Sequence, residues 1–292
     1  MSDTNNLPRV GFIGLGNMGQ SMAGHILDAG YCLNVYNRSP DRAAQLLSRG
    51  AKWCTTPADV AANSDVVITI VGFPHDVEQV YLGENGILTR ANNALLIDMT
   101  TSSPALAVRI AAAAQAQGCQ ALDAPVSGGD IGARDAKLSI MVGGDTDAFD
   151  KALPILQLMG TSMVLQGGPG AGQHTKMCNQ IVIAATIMGV CEGLAYGQAA
   201  GLDLPTVLKS IGGGAASGFQ LNVMGLKIIN GDFAPGFYIE HFIKDLGIAL
   251  SEAERMKLDL PALTMARKLY AELAHNGHGR LGTQALFKHY AA

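Results

Sequence analysis

Short apolar runs alternate with helical segments from residue 9 to about residue 165. Val10 to Ile13, Leu33 to Tyr36, Val66 to Val71, Ala94 to Asp98, Ala121 to Asp123 and Leu138 to Val142 have the length and β-branched character of buried strands. Trp53 marks a further short strand, and another lies near Met163. Between them the apolar positions recur at helical spacing over Gln20 to Ala29, Pro104 to Gln117 and Asp147 to Leu158. Pro40 and Pro57 each suit the first turn of a further helix. Such alternation predicts a doubly wound, mainly parallel sheet with right-handed crossovers.

The pattern changes at Gly167-Gly168-Pro169-Gly170. Beyond this breaker cluster strand signals nearly vanish, and Ala171 to Ala200 forms one helical stretch far longer than the mean helix. Pro205 to Ile211, Phe242 to Met256, Pro261 to Asn276 and Thr283 to Tyr290 are further helix candidates, and Gly212 to Gly214 and Gly231 to Gly236 are loops. The expected architecture is an α/β domain over residues 1–167 and an all-helical domain over 168–292, joined by the long helix. A long apolar helix needs more cover than one small domain provides, so a homodimer or homotetramer is expected.

The turn after the first strand carries candidate chemistry. Gly14-Leu15-Gly16-Asn17-Met18-Gly19 has the G-x-G-x-x-G spacing between a strand and a helix. The first glycine allows the tight turn, the second lets the backbone approach a pyrophosphate, and the third packs helix on strand. The helix N-terminus adds free N–H groups and partial positive charge. The first domain is therefore expected to be a Rossmann dinucleotide-binding domain. At the end of the second strand, where an acidic residue would hold a ribose 2′-hydroxyl, stand Asn37, Arg38 and Ser39. Arg38 suits a 2′-phosphate, which favours NADP with NAD possible; its alternative is a solvated loop position.

Composition narrows the partners. A net charge of −4 without a basic stripe excludes a nucleic-acid footprint. No signal peptide and no membrane span are expected, because the polar N-terminus lacks an apolar core and polar residues interrupt every apolar run. The five scattered cysteines, none in C-x-x-C spacing, predict reduced thiols in a cytoplasmic protein and no metal site.

Three other segments bear on catalysis. Asp123-Ala-Pro-Val-Ser-Gly-Gly129 follows a strand and presents a hydroxyl beside flexible N–H groups, suited to a carboxylate or to a plain Pro/Gly turn. Gly172-Gln-His-Thr-Lys176-Met-Cys-Asn179 opens the long helix and puts Lys176 and Asn179 on one face, with Gln180 beside them. That face continues to Ile183 and Thr186, so it is expected to be mostly buried. Burial would lower the lysine pKa towards the range useful for proton transfer, unless the side chain snorkels. Lys244-Asp245 precedes an apolar helix and also suits a surface charge pair, while His174 and His241 are acid–base candidates of lower rank.

With Asp98-Met-Thr-Thr101-Ser-Ser-Pro104, these motifs in this order resemble the β-hydroxyacid dehydrogenase family from Val10 to the C-terminal helices. That family includes 3-hydroxyisobutyrate dehydrogenases, tartronate semialdehyde reductases and glyoxylate/succinic semialdehyde reductases. The resemblance implies Lys176 as general acid/base, Ser127, Gly128 and Gly129 as the substrate-carboxylate clamp, and Asn179 orienting the substrate. It further implies Lys244 reaching cofactor or substrate, and Thr101 on the nicotinamide side. Two departures are Asp-Met-Thr-Thr for Asp-Met-Ser-Thr, and Asn37 where NAD-preferring members tend to have Asp. The expected reaction interconverts a small 3-hydroxy acid, or a 4-hydroxybutyrate-like acid, and its semialdehyde. The alternatives are an imine reductase-like NADPH enzyme, whose lysine position typically carries another residue, and a catalytically silent dinucleotide-binding regulator. Phe233, Phe237, Tyr238 and Phe242 leave room for an apolar substituent on the substrate.

Overall fold

A computed structural model describes residues 7–290. The chain divides between Lys176 and Met177 into two compact units.

In the first unit, β1 (Val10–Ile13), β4 (Val66–Thr69) and β5 (Leu95–Asp98) are buried along their whole length. Alternation across each strand supplies two cores. Phe12, Ile68 and Ile97 point to the side covered by α1 (Gly19–Asp28), α2 (Ala44–Ser48) and α7 (Thr146–Leu156). Ile13, Val67 and Leu96 face α3 (Pro57–Ala62), α4 (Pro74–Leu82) and α5 (Pro104–Gln115). Helices on both faces make the continuous apolar runs of these strands necessary. With β2 (Leu33–Tyr36), β3 (Lys52–Trp53), β6 (Gln120–Asp123), β7 (Val126–Ser127), β8 (Leu138–Gly143) and β9 (Gly160–Gly167), the sheet runs β3-β2-β1-β4-β5-β6-β8-β7, and β9 pairs with β8. The order reverses direction at β1, where doubly wound sheets bind ligands beyond the strand ends.

Strands β1 to β6 are parallel, as expected, but β8 runs antiparallel to both β6 and β7. The reversal comes from Gly128 and Gly129, whose φ values of +132° and +64° turn the chain directly into α6 (Gly129–Arg134).

Helix α8 (Ala171–Ala199) begins in the first unit and continues into the second. By length and composition it could cross a membrane. Its inner stripe, Ala184, Ile187, Cys191 and Leu194, is packed in the core of the second unit. The second unit continues with α9 (Leu204–Ile211), α10 (Gly225–Ile229), α11 (Ile239–Arg255) and α12 (Pro261–Leu273). Its core centres on Phe242 and Tyr270, packed edge-to-face at 5.1 Å, with the Tyr270 hydroxyl donating to Thr283 O at 2.8 Å. Phe242 is thus a core residue and not part of an apolar substrate lining. A π-helical turn over Gln220–Met224 leads into α10, in a stretch without a clean helical repeat. Regular helix stops at Leu273 rather than Asn276, because a wider turn follows and Gly277 takes φ +85°. Thr283–His289 is a 3-10 helix, tighter than the α-helix its pattern suggests.

Candidate active site

The glycine loop after β1 is explained by space. A Cβ on Gly14, which has φ +100°, would lie 2.0 Å from Ile70 O, and one on Gly19 would lie 2.0 Å from Gly14 O. Around Gly16 nothing comes within 4 Å of such a Cβ. Two of the glycines are forced by packing, and the third leaves the open approach that a pyrophosphate needs at the head of α1. Leu15 N donates to Asn37 Oδ1 at 2.8 Å, and Asn37 Nδ2 donates to Ser39 O at 2.9 Å. Asn37 therefore ties the loop to the end of β2 without placing a carboxylate there. Asn17 is exposed and Met18 packs partly on the core. The Arg38 side chain is 88% exposed, with its guanidinium 3.5 Å from Asp76 on the first turn of α4. The loop and helix start fit a nicotinamide dinucleotide.

A second cluster forms where β5 and β6 end. Asp98 and Asp123 are register partners on these strands, and both are buried. Asp98 Oδ1 accepts from Thr69 Oγ1 at 2.7 Å and from Thr100 N at 3.1 Å, while Thr100 Oγ1 accepts from Val71 N at 2.9 Å. Asp123 accepts one N–H at each oxygen, from Gly170 at 2.7 Å and from Gln173 at 2.8 Å. It thereby satisfies N–H groups at the start of α8 that have no partner within the helix. Burial pushes both carboxyls up to about 6, against these hydrogen bonds, which favour the ionised form. The neighbouring Asp123 charge adds to the shift at Asp98.

Gln173, fully buried, completes this cluster. Its Nε2 donates to Thr100 O at 2.7 Å and its Oε1 accepts from Ser102 N at 2.8 Å. Lys176, one turn further along α8, is only 6% exposed. Ser127 and Gly129 are partly exposed and Gly128 is open to solvent, so the hydroxyl and the turn it precedes are accessible.

In the second unit the polar groups form a chain. Asn179 Nδ2 donates to Gln180 Oε1 at 2.8 Å, and Gln180 Nε2 donates to Asp245 Oδ2 at 2.6 Å. Asp245 is fully buried and pairs with Lys244, Nζ to Oδ1, at 3.0 Å. This is a buried ion pair, not a surface one, because it lies on the inward side of α11. His241, one turn earlier, is held below the usual histidine pKa by burial and then by the Lys244 charge. His174 is exposed.

Two family models cover the chain. The NAD-binding domain of 6-phosphogluconate dehydrogenase matches residues 9–168, and the NAD-binding domain of NADP-dependent 3-hydroxyisobutyrate dehydrogenase matches residues 170–290. The chain is 52% identical over 280 residues to an uncharacterized oxidoreductase of Bacillus subtilis, covering 96% of this chain and 97% of that one. It is 41% identical to the 2-hydroxy-3-oxopropionate reductase of Escherichia coli, covering 95% of each chain. The chain belongs to the β-hydroxyacid dehydrogenase family. Among solved structures, the Mycobacterium tuberculosis 3-hydroxyisobutyrate dehydrogenase with L-serine superposes with a TM-score of 0.90 at 30% identity, over 98% of this chain and 100% of that one.

As a β-hydroxyacid dehydrogenase, the chain is an NAD(P)-dependent oxidoreductase acting on hydroxy acids, with an N-terminal Rossmann domain and a helical C-terminal domain. Of its buried polar residues, sequence reading left out Gln173, set Gln180 beside the site without naming its partners, and offered Asp245 as half of a surface charge pair. The burial of Lys176 holds, but the face assigned to it does not. The buried stripe of α8 runs through Gln173, Lys176, Gln180, Ala184, Ile187, Cys191 and Leu194, whereas Ile183 is partly exposed and Thr186 exposed. The ten residues from Lys176 to Thr186 fall about 80° short of three full turns and so leave the stripe, while the eighteen from Lys176 to Leu194 make about five turns. Steps of seven from Leu194 backwards pass through Ile187, Gln180 and Gln173.

Proposed function

We propose that this dehydrogenase interconverts a small 3-hydroxy acid, or a 4-hydroxybutyrate-like acid, and its semialdehyde, with NADPH preferred and Lys176 as general acid/base. The observation that carries the reading is a lysine buried on the second turn of a helix whose start is fixed by a buried carboxylate. A buried ammonium is costly, and here its use is to give a proton to a substrate oxygen. Bound NADPH supplies the hydride to the carbonyl carbon. Lys176 donates its proton to the carbonyl oxygen as that oxygen becomes an alcohol, and accepts it back in the oxidising direction. Ser127 and the N–H groups of Gly128 and Gly129 hold the substrate carboxylate, which orients the carbonyl. Asn179 binds the substrate through the amide edge not committed to Gln180, and Lys244 supplies a cation for an anionic group of substrate or cofactor. Thr101 lies against the nicotinamide.

Preference for NADPH rests on Arg38, exposed beside Asn37 and Ser39 with no carboxylate at the ribose position. The description of the family model over residues 170–290 as NADP-dependent supports it. The apolar exposed side chains of α8, Val182 and Tyr196, support self-association into a homodimer or homotetramer.

The test pairs a substrate screen with one variant. Tartronate and succinic semialdehydes are offered with NADPH and with NADH. Lys176→Ala is expected to bind NADPH as the wild type does and to lose turnover by about 10²–10⁴-fold. Undiminished turnover overturns the role of Lys176, and equal use of NADH overturns that of Arg38.

A further inference from the structure

We infer that Gln173 is a positioning residue, which sets Lys176 against the loop that carries Thr101 by bracketing Thr101 with both ends of its amide. The inference rests on the reading of Lys176 as the proton donor. The two groups Gln173 binds are the C=O before Thr101 and the N–H after it. In a parallel sheet, these are the two backbone groups that one residue of a neighbouring strand engages. The amide, with one donor edge and one acceptor edge, takes the place of that strand beyond the end of β5. The loop is held by two further bonds, Thr100 N donating to Asp98 Oδ1 and Val71 N donating to Thr100 Oγ1. It therefore has one conformation in which all these bonds are made.

The same residue is tied down through its backbone, since its N–H donates to Asp123. Three positions further along α8, on the same face, stands Lys176. Helix start, loop and lysine are thus joined through one fully buried side chain. Asparagine carries the same two edges on a side chain one methylene shorter. Glutamate keeps the acceptor and loses the donor, and methionine keeps the length and loses both. The expected consequence of losing the tie is misplacement of Lys176 relative to Thr101 without loss of either group, which is a fault in kcat rather than in binding.

The decisive variant is Gln173→Met, with Gln173→Leu, which likewise lacks the acceptor for Ser102 N–H, as the second should the first fail to fold. Amide hydrogen exchange at Ser102, measured without any ligand, is expected to become at least about tenfold faster in both variants. With semialdehyde and NADPH, kcat is expected to fall by about 10–100-fold, while KM and the fluorescence-titrated Kd for NADPH stay within about threefold. The deuterium isotope effect with 4-deuterated NADPH should rise towards its intrinsic value as chemistry becomes slower. Unchanged exchange at Ser102 overturns the tie itself. Faster exchange with wild-type kcat, or a parallel decline of kcat, NADPH affinity and Tm, overturns the positioning role and leaves a structural one. Failure of the functional reading looks different. Lys176→Ala would then keep wild-type turnover, which removes the catalytic half of the inference while the exchange result stands.

Discussion

Asp123 in the first unit and Asp245 in the second are both buried carboxylates that accept hydrogen bonds beside the candidate chemistry, yet their partners differ in kind. Asp123 is held by backbone N–H groups, one at each oxygen, from the start of α8. Asp245 is held by side chains, the amide of Gln180 and the ammonium of Lys244. A backbone donor cannot turn without moving its helix, and the fit here is tight: a Cβ on Gly172 would lie 2.4 Å from both Asp123 O and Met141 O. An amide can turn over in place. The first arrangement fixes a framework, and the second fixes the direction in which a chain of hydrogen bonds runs.

The largest expected effect is therefore at Asp123. Asp123→Asn places an NH₂ against an N–H that the carboxylate oxygen accepted, and neither Gly170 nor Gln173 can reverse. Loss of a buried charge-assisted bond, offset in part by relief from burying the charge, should lower stability by about 2–3 kcal/mol in urea melts at pH 7.5. A cost below about 0.5 kcal/mol would remove the distinction between the two carboxylates.

Asp98, the register partner of Asp123, is expected to respond in the opposite sense. The bonds from Thr69 Oγ1 and Thr100 N fall on Oδ1, so Asp98→Asn keeps its acceptor there and places the NH₂ at Oδ2, while the Thr100 hydroxyl, which also bonds this carboxyl, can accept instead of donate. Burial raises this carboxyl to about 6, from an ordinary value near 4. Between those two pH values the folded chain holds a proton that the unfolded chain has released. The stability this confers is complete below pH 4 and is lost as pH rises through 6. The amide cannot ionise. Asp98→Asn should be more stable than the wild type by about 2 kcal/mol at pH 8, with the difference closing towards pH 4. A difference independent of pH would mean that Asp98 does not titrate in this window.

The same contrast separates what was legible in the sequence from what was not. The dinucleotide loop was legible because its glycines answer to local geometry, a turn and a close helix–strand contact, which spacing records directly. Lys176 and Asn179 stood in a motif, and the lysine is buried as expected, although the apolar face from which its burial was expected is not the buried one. Asp123 was quoted only as the first residue of a clamp motif. Its partners Gly170 and Gln173 lie about fifty positions away in sequence, and nothing local marks a carboxylate as the cap of a distant helix. Asp245 was hidden for a related reason. Lys-Asp at the head of an apolar helix has the same composition on the surface as in the core, and only the packing of α11 decides. The antiparallel β8 was missed because strand direction depends on how Gly128 and Gly129 turn the chain, not on strand composition.

The smallest effect on stability, below about 1 kcal/mol, is expected at Asp245 when Asp245→Asn is made in a Lys244→Met background, where no buried ammonium is left without its carboxylate, provided that its other partners can reverse. In Asp245→Asn the new NH₂ can donate to Gln180 Oε1, if Gln180 turns over. Gln180 Nε2 can then donate to Asn179 Oδ1, if Asn179 turns over in its turn. Every amide bond in the chain survives, but the edge that Asn179 leaves uncommitted changes from one carrying its oxygen to one carrying only N–H groups. With Asn179 in the substrate-orienting role proposed for it, KM for the semialdehyde should rise by about tenfold while the melting transition scarcely moves. Lys244 is proposed to bind substrate or cofactor itself, so Lys244→Met alone serves as the control. If Lys244→Met reproduces the KM change in full, Lys244 and not the direction of the amide chain sets substrate affinity. If Asp245→Asn in that background is as destabilising as Asp123→Asn, side-chain partners are no more adaptable here than backbone ones.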